Sequence, residues 1–201
     1  MDKLRAGPSV IEADGISVII EREYLAASLR YFDSQGSFAA ILRNALGAEL
    51  PEPLRADRAQ APIQAHATIR VQAPVNSVPF ILVWRSPTET LLLTKDPTAF
   101  AQLEAQFAAA ADGCMVNQTG GLWVVRVQGR RTDYLLTRLG AMSAIPAIGE
   151  ARTGRFAEVQ ATVLRLAADE VLLIVEHVYA DHLLEWIAVT AGDLSVTAGD
   201  S

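Results

Sequence analysis

Near the C-terminus, His177, Asp181, His182 and Glu185 are all side chains of metal-ligating type. On a helix, His177 and Asp181 share one face at i, i+4, and His182 and Glu185 share another at i, i+3. The four therefore do not converge, and the remaining histidine, His66, is far away in sequence. Cys114 is the one cysteine, so neither a disulfide nor a cysteine cage can form within the chain. It sits between Gly113 and Met115 at a strand entrance. An activated thiolate instead needs a helix N-terminus or a neighbouring cation. Gly120-Gly121 lies between two apolar strands and reads as a hairpin turn, not as a phosphate-cradling strand-to-helix loop. There is no GxSxG elbow. Six arginines, Arg126, Arg130, Arg131, Arg152, Arg155 and Arg165, make the middle of the chain basic. Arg130-Arg131 precede a helix start, where positive charge is unfavourable, which points to an acidic partner or a bound carboxylate. Trp84, Trp123 and Trp186 fall in apolar elements and suit core or interface anchors. No self-contained catalytic or metal site emerges, so the catalytic and metal sets are empty.

The elements that must carry these residues follow from pattern. Ile16 to Glu21 and Tyr24 to Tyr31 suit strands, and Ser37 caps a helix over Phe38 to Leu46, stopped by Gly47. Residues 51–79 hold five prolines and read as a connector with one strand at Ala67 to Val71. Phe80 to Trp84 and Thr90 to Thr94 form a hairpin turned at Ser86 to Glu89. Asp96 and Pro97 start a helix that runs over Ala99 to Ala111. Met115 to Gln118 and Trp123 to Gln128 are expected to pair across Gly120-Gly121. Thr132 caps a helix over Asp133 to Leu139, stopped by Gly140. Phe156 to Leu166 and Val171 to Val175 form another hairpin, and a last helix spans Tyr179 to Ala191.

Residues 82–107 and 163–188 look like copies. At a constant shift of 81 both read strand, acidic turn, apolar strand, helix. Glu89 falls on Glu170, Leu91-Leu92-Leu93 on Leu172-Leu173-Ile174, and Leu103-Glu104 on Leu184-Glu185. The expected fold class is α+β, with duplicated split β-α-β units and antiparallel or mixed sheets carrying helices on one face. Residues 1–79 form a β-β-α segment and Pro-rich connector packed on a duplicated β-β-α core over 80–201, or the whole is one continuous domain.

Composition bounds the function. The chain has 201 residues, 51% of them hydrophobic, with 17 basic and 23 acidic side chains. Its net charge of −6 argues against a nucleic-acid partner. Charge is uneven: −3 over 1–112, +4 over 113–165 and −7 over 166–201. The basic middle and acidic tail pair with each other or meet a partner. The N-terminus lacks a signal-peptide core, and apolar runs such as Val171 to Val175 are strand-sized, so a soluble, cytoplasmic protein with no membrane partner is expected.

Several stretches together resemble the gamma subunit family of heterotetrameric sarcosine oxidase. Leu46 to Pro51 is similar to the family's LG..LP element, and Phe80 to Thr94, with Trp84, Pro87, Glu89 and Leu91-Leu92, to its first hairpin. Met115 to Gly129 resembles the next strand pair, Arg131 to Gly140 the short helix, Gly154 to Leu166 the later strand, and Tyr179 to Ala191, with Trp186 in register, the closing helix. The resemblance implies a fold similar to the folate-binding domain of the glycine cleavage aminomethyltransferase. It also implies a chain with no catalytic residue, packed on larger alpha and beta flavoprotein subunits. Those subunits would hold FAD, FMN, NAD and tetrahydrofolate, with zinc in the delta subunit, none of them bound by this chain alone. The complex would demethylate sarcosine oxidatively to glycine and pass the one-carbon unit to tetrahydrofolate. On this reading Arg130, Arg131, Trp84 and Trp186 are the interface candidates. The alternatives are a stand-alone folate-binding or one-carbon protein of the same fold, holding a glutamate tail through Arg126, Arg152 or Arg155, and a homodimer without catalysis.

Overall fold

A computed structural model describes residues 10–13, 15–46, 50, 66–71, 80–140 and 142–197. They group into two compact units: a central one, Glu23–Gly121 with Gly149–Ala151, and a terminal one built from residues up to Arg22, Leu122–Ile148 and residues from Arg152 on. The expected stop at Gly47 lies outside the described residues.

The central unit contains β3 (Leu25–Tyr31), α1 (Ser37–Leu46), β4 (His66–Val71), β5 (Phe80–Ser86), β6 (Glu89–Thr94), α2 (Pro97–Phe107) and β7 (Gly113–Asn117). Its strands lie in the order β4-β5-β6-β3-β7, and the registered pairs are antiparallel. Alternation along the strands sends Ala27, Leu29, Leu82 and Leu92 to one face, where they join Phe38, Leu42, Phe100, Leu103 and Phe107 in one core. The Phe38 ring stacks on Phe107 at 4.4 Å and on Tyr31 at 5.8 Å. Asp96 caps α2 as expected, accepting from the amides of Thr98 and Ala99 at 2.8 and 2.9 Å, with Pro97 in the first turn. The start of α1 is held from a distance in sequence: the Asp112 carboxylate accepts from the Ser37 hydroxyl and from the Phe38 amide, the latter at 2.9 Å.

The terminal unit contains β1 (Val10–Ala13), β2 (Ile16–Ile20), β8 (Leu122–Gln128), α3 (Thr132–Leu139), a 3-10 turn at Met142–Ala144, β9 (Glu150–Phe156), β10 (Val159–Ala167), β11 (Glu170–Glu176) and α4 (His177–Thr197). Its strand order is β1-β2-β8-β11-β10-β9. Val125, Val127, Val163, Leu173 and Val175 meet Leu135, Leu136, Leu183 and Ile187 in a second core. Gly129 has φ 136°, and a Cβ there would lie 2.0 Å from the Gly15 carbonyl oxygen, so this crossing of two turns requires glycine. In both units the other sheet face is buried too: Leu91, Leu93 and Leu172 are fully inaccessible and Ile174 nearly so. Burial on both faces explains why β6 and β11 read as unbroken apolar runs.

The fold class is α+β; the described residues form two antiparallel sheets and four helices, and the duplication is visible in the register. Phe80 opposes Thr94, Trp84 opposes Thr90 and, after a bulge, Ser86 opposes Glu89. At a shift of 81, Ala161 opposes Val175, Arg165 opposes Val171 and, after the same bulge, Ala167 opposes Glu170. The copy extends further than the sequence suggests: β8 stands on β11 as β3 stands on β6, and β2 stands on β8 as β7 stands on β3.

Three expectations need correction. The strands flanking Gly120-Gly121 are not a hairpin: β7 pairs with β3, and β8 pairs with β2 and β11, so the glycines join the two units. Residues 156–166 are not one strand, because Ala157 and Glu158 take positive φ (48° and 65°) and turn the chain between β9 and β10. The helices do not follow the shift of 81. Phe100, Leu103 and Phe107 face inward in α2, as Ala180, Leu183 and Ile187 do in α4, a displacement of 80. Lys95 and Asp96 separate β6 from α2, whereas α4 starts directly after β11, and this shortened connection sets the helix back by one residue.

Candidate interaction surfaces

The last helix has two apolar stripes. Ala180, Leu183, Ile187 and Ala191 recur at helical spacing and are buried. On the outer arc, Val178 is 77% exposed, Val189 62%, Trp186 49% and Tyr179 48%. At 3.6 residues per turn these four share a side with His182 and Glu185. The His182 Nε2–H donates to the Ala157 carbonyl at 3.0 Å, and its ring lies 6.4 Å from that of Trp186. His177 instead stacks on Trp123 at 5.4 Å, and Arg22 covers that indole at 5.2 Å. The histidines thus have separate structural tasks, and no group of three potential ligands converges among the described residues.

The arginines are distributed. Arg126 on β8 bridges two carboxylates, Glu21 at 2.5 Å and Glu170, with each of the three side chains at most about a quarter exposed. Arg152 on β9 donates to the Ser143 carbonyl at 2.8 Å. Arg155, further along β9, is exposed and lies 3.2 Å from the Glu158 carboxylate. β10 and β11 separate β9 from β8, so the structure does not gather Arg126, Arg152 and Arg155 into one anion site. Arg130 runs beside Gly15, and Arg131 occupies the N-cap position of α3 without a side-chain capping bond. Thr132, expected there, instead donates to the Gly129 carbonyl at 2.7 Å. Arg165 is buried and contacts the Asp133 carboxylate, and that burial pushes its guanidinium pKa down. These pairs let part of the basic middle meet acidic residues inside the unit. Trp84 is half-buried on β5, at the repeat position of Arg165.

Phe32, 91% exposed after β3, is a surface residue that sequence reasoning missed, and it carries no local sequence signal. The outer face of α4 did carry one: its apolar residues exceed what one buried stripe needs. Among the described residues, no helix is long and apolar enough to cross a membrane.

No family model matches the sequence, and no curated protein matches it. Solved structures do match. The fold is similar to that of heterotetrameric sarcosine oxidase from Corynebacterium sp. U-96 in complex with pyrrole 2-carboxylate, with a TM-score of 0.70 and 15% identity over 93% of this chain and 89% of that one. It is also similar to glycine cleavage system aminomethyltransferase T from Bartonella henselae, with a TM-score of 0.58 and 12% identity over 87% of this chain. That match spans 46% of the aminomethyltransferase, so this chain corresponds to less than half of its length.

Proposed function

We propose that this chain is a non-catalytic, gamma-like subunit of a sarcosine-oxidase-type flavoenzyme, in which it stabilises larger chains. The observation that carries the reading is the outer face of α4. Val178, Tyr179, Trp186 and Val189 are large apolar side chains left in water on a helix whose inner face is already packed. Such a patch is the mark of a protein interface. The fold match over 93% of this chain and 89% of one chain of a heterotetrameric oxidase supports a subunit role. Trp186 then anchors the contact, and aromatic anchors commonly dominate interfaces of this kind. FAD, FMN, NAD and tetrahydrofolate belong to the partner chains in this reading, and sarcosine demethylation is their chemistry. The stand-alone folate protein is less well supported, because Arg126 is already held between two carboxylates.

The test is purification of the tagged chain from its source cells. Co-purification of two larger chains with flavin absorbance and sarcosine-dependent oxygen uptake is expected. Introducing V178D and V189D together should release those chains while leaving the fold intact. A colourless, single-chain eluate would overturn the assignment.

A further inference from the structure

A second surface lies in the central unit, at the open edge of its sheet. Strand β7 ends the strand order, with β3 as its registered neighbour. The Gln118 amide donates to Ala26 O at 2.8 Å, and the Phe32 amide to Asp112 O at 3.0 Å. In an antiparallel pair such bonds fall on alternate residues. Cys114 and Val116 therefore bond inward to β3, while Gly113, Met115 and Asn117 turn N–H and C=O outward. The strand Gly-Cys-Met-Val-Asn has none of the charges or prolines that usually blunt an open edge.

The edge borders an open cleft of about 570 Å³ whose lining includes Arg30, Phe32, Glu89 and Cys114. Glu89, Arg30 and Cys114 stand directly opposite one another on β6, β3 and β7, so their side chains share a face. Phe32, two residues beyond Arg30, continues that face. Glu89 is engaged by the Ser28 hydroxyl at 2.8 Å and by Arg85 at 3.3 Å. Arg30 is exposed and pairs with no acid among the described residues.

We propose that β7 receives an extended segment of a partner chain as an added strand, with an acidic side chain of that segment over Arg30 and an apolar one against Phe32. The added strand would lie two strand spacings from β3, about 10 Å. Arginine and glutamate side chains together span that gap, and the small Cys114 between them leaves the path clear. Main-chain bonds to the edge supply affinity, and the cleft supplies selection. A second copy of β7 offers no acid for Arg30, so charge complementarity selects a different sequence. This surface is independent of α4 and goes beyond the subunit reading.

The experiment uses the full chain and two short fluorescein-labelled peptides of alternating Thr and Val, one with a central Glu and one with a central Lys. Polarisation should show the Glu peptide binding roughly tenfold tighter. It should also protect Cys114 from iodoacetamide and slow amide exchange at Gly113, Met115 and Asn117. N117P removes one outward donor and should weaken both peptides alike. R30Q changes an exposed guanidinium, so it keeps the test decisive if N117P fails to fold. It should abolish the Glu preference while leaving the amide protection. Equal binding of the two peptides would overturn the proposal, as would unprotected Cys114, or self-association through β7 in place of peptide binding.

Discussion

The two units place their charges in opposite ways on the same backbone. In the terminal unit the acid of the hairpin turn, Glu170, is met by Arg126, which also takes Glu21. At the equivalent place in the central unit Ser28 replaces Arg126, and its hydroxyl donates to Glu89. Arg85 on the neighbouring strand also reaches Glu89, at 3.3 Å, and a further cation, Arg30, stands where the terminal unit carries the neutral Gln128. One copy closes its charges into an internal triad, and the other holds its acid with Ser28 and the nearby Arg85 and leaves Arg30 facing a cleft. After duplication the register was kept while the electrostatics diverged. The closed copy suits a structural role and the open copy suits recognition.

The largest test of this contrast asks whether the units also unfold separately. Phe107→Ala removes one end of the Tyr31–Phe38–Phe107 ring stack, a side chain only 1% exposed, which should cost about 4 kcal/mol. Amide exchange in β3, β5 and β6 should accelerate, while β8 and β11 keep their protection. Equal loss in all five strands would show one cooperative block, and the comparison would then be between two halves of it. Next comes Arg126→Ala, which removes the guanidinium that bridges two poorly exposed carboxylates. The expected loss is about 3 kcal/mol, the low end for a buried pair, because all three side chains keep some contact with water. Arg30→Ala should change stability by less than about 0.5 kcal/mol, as for a surface substitution. Urea unfolding of both variants checks the pair, and equal losses would erase the distinction between closed and open copies.

Much of this organisation was legible in the sequence. The hairpins were, because Glu89 and Glu170 punctuate apolar runs at a fixed shift. So was the start of α2, because Asp96-Pro97 is a local capping signal. The β9–β10 turn was not, because Ala157 and Glu158 adopt positive φ without the Gly or Asn that marks such turns. Its conformation is supported from elsewhere, by Ala157 N donating to Leu139 O at 2.7 Å and His182 donating to Ala157 O. Gly120-Gly121 misled for the converse reason: a good hairpin signal cannot tell which strands will pair. Of the candidate surfaces, Trp186 drew notice in the sequence because it lies in an apolar-patterned element, and it is half-exposed on α4. The Arg30 row was not legible, because its three members come from three strands spread over residues 30–114.

The smallest expected effect concerns how each unit starts a helix. In the terminal unit, α3 has no side-chain cap at Arg131. In the central unit, α1 depends on the ionised Asp112, which accepts from Ser37 and Phe38. The Ser37 hydrogen bond, aided by backbone donors, holds the Asp112 pKa below its ordinary aspartate value. A carboxylate with a depressed folded-state pKa contributes stability above its unfolded-state pKa and loses it as pH falls through the folded value. Acidification through and below the ordinary aspartate range should therefore loosen α1 before α3, read by amide exchange at Phe38 to Leu42 against Leu135 to Leu139. Asp112→Asn should remove this acid dependence and start from lower α1 protection at neutral pH. If wild type and Asp112→Asn loosen α1 along the same pH profile, the cap is not electrostatic, and the two helix starts differ in sequence alone.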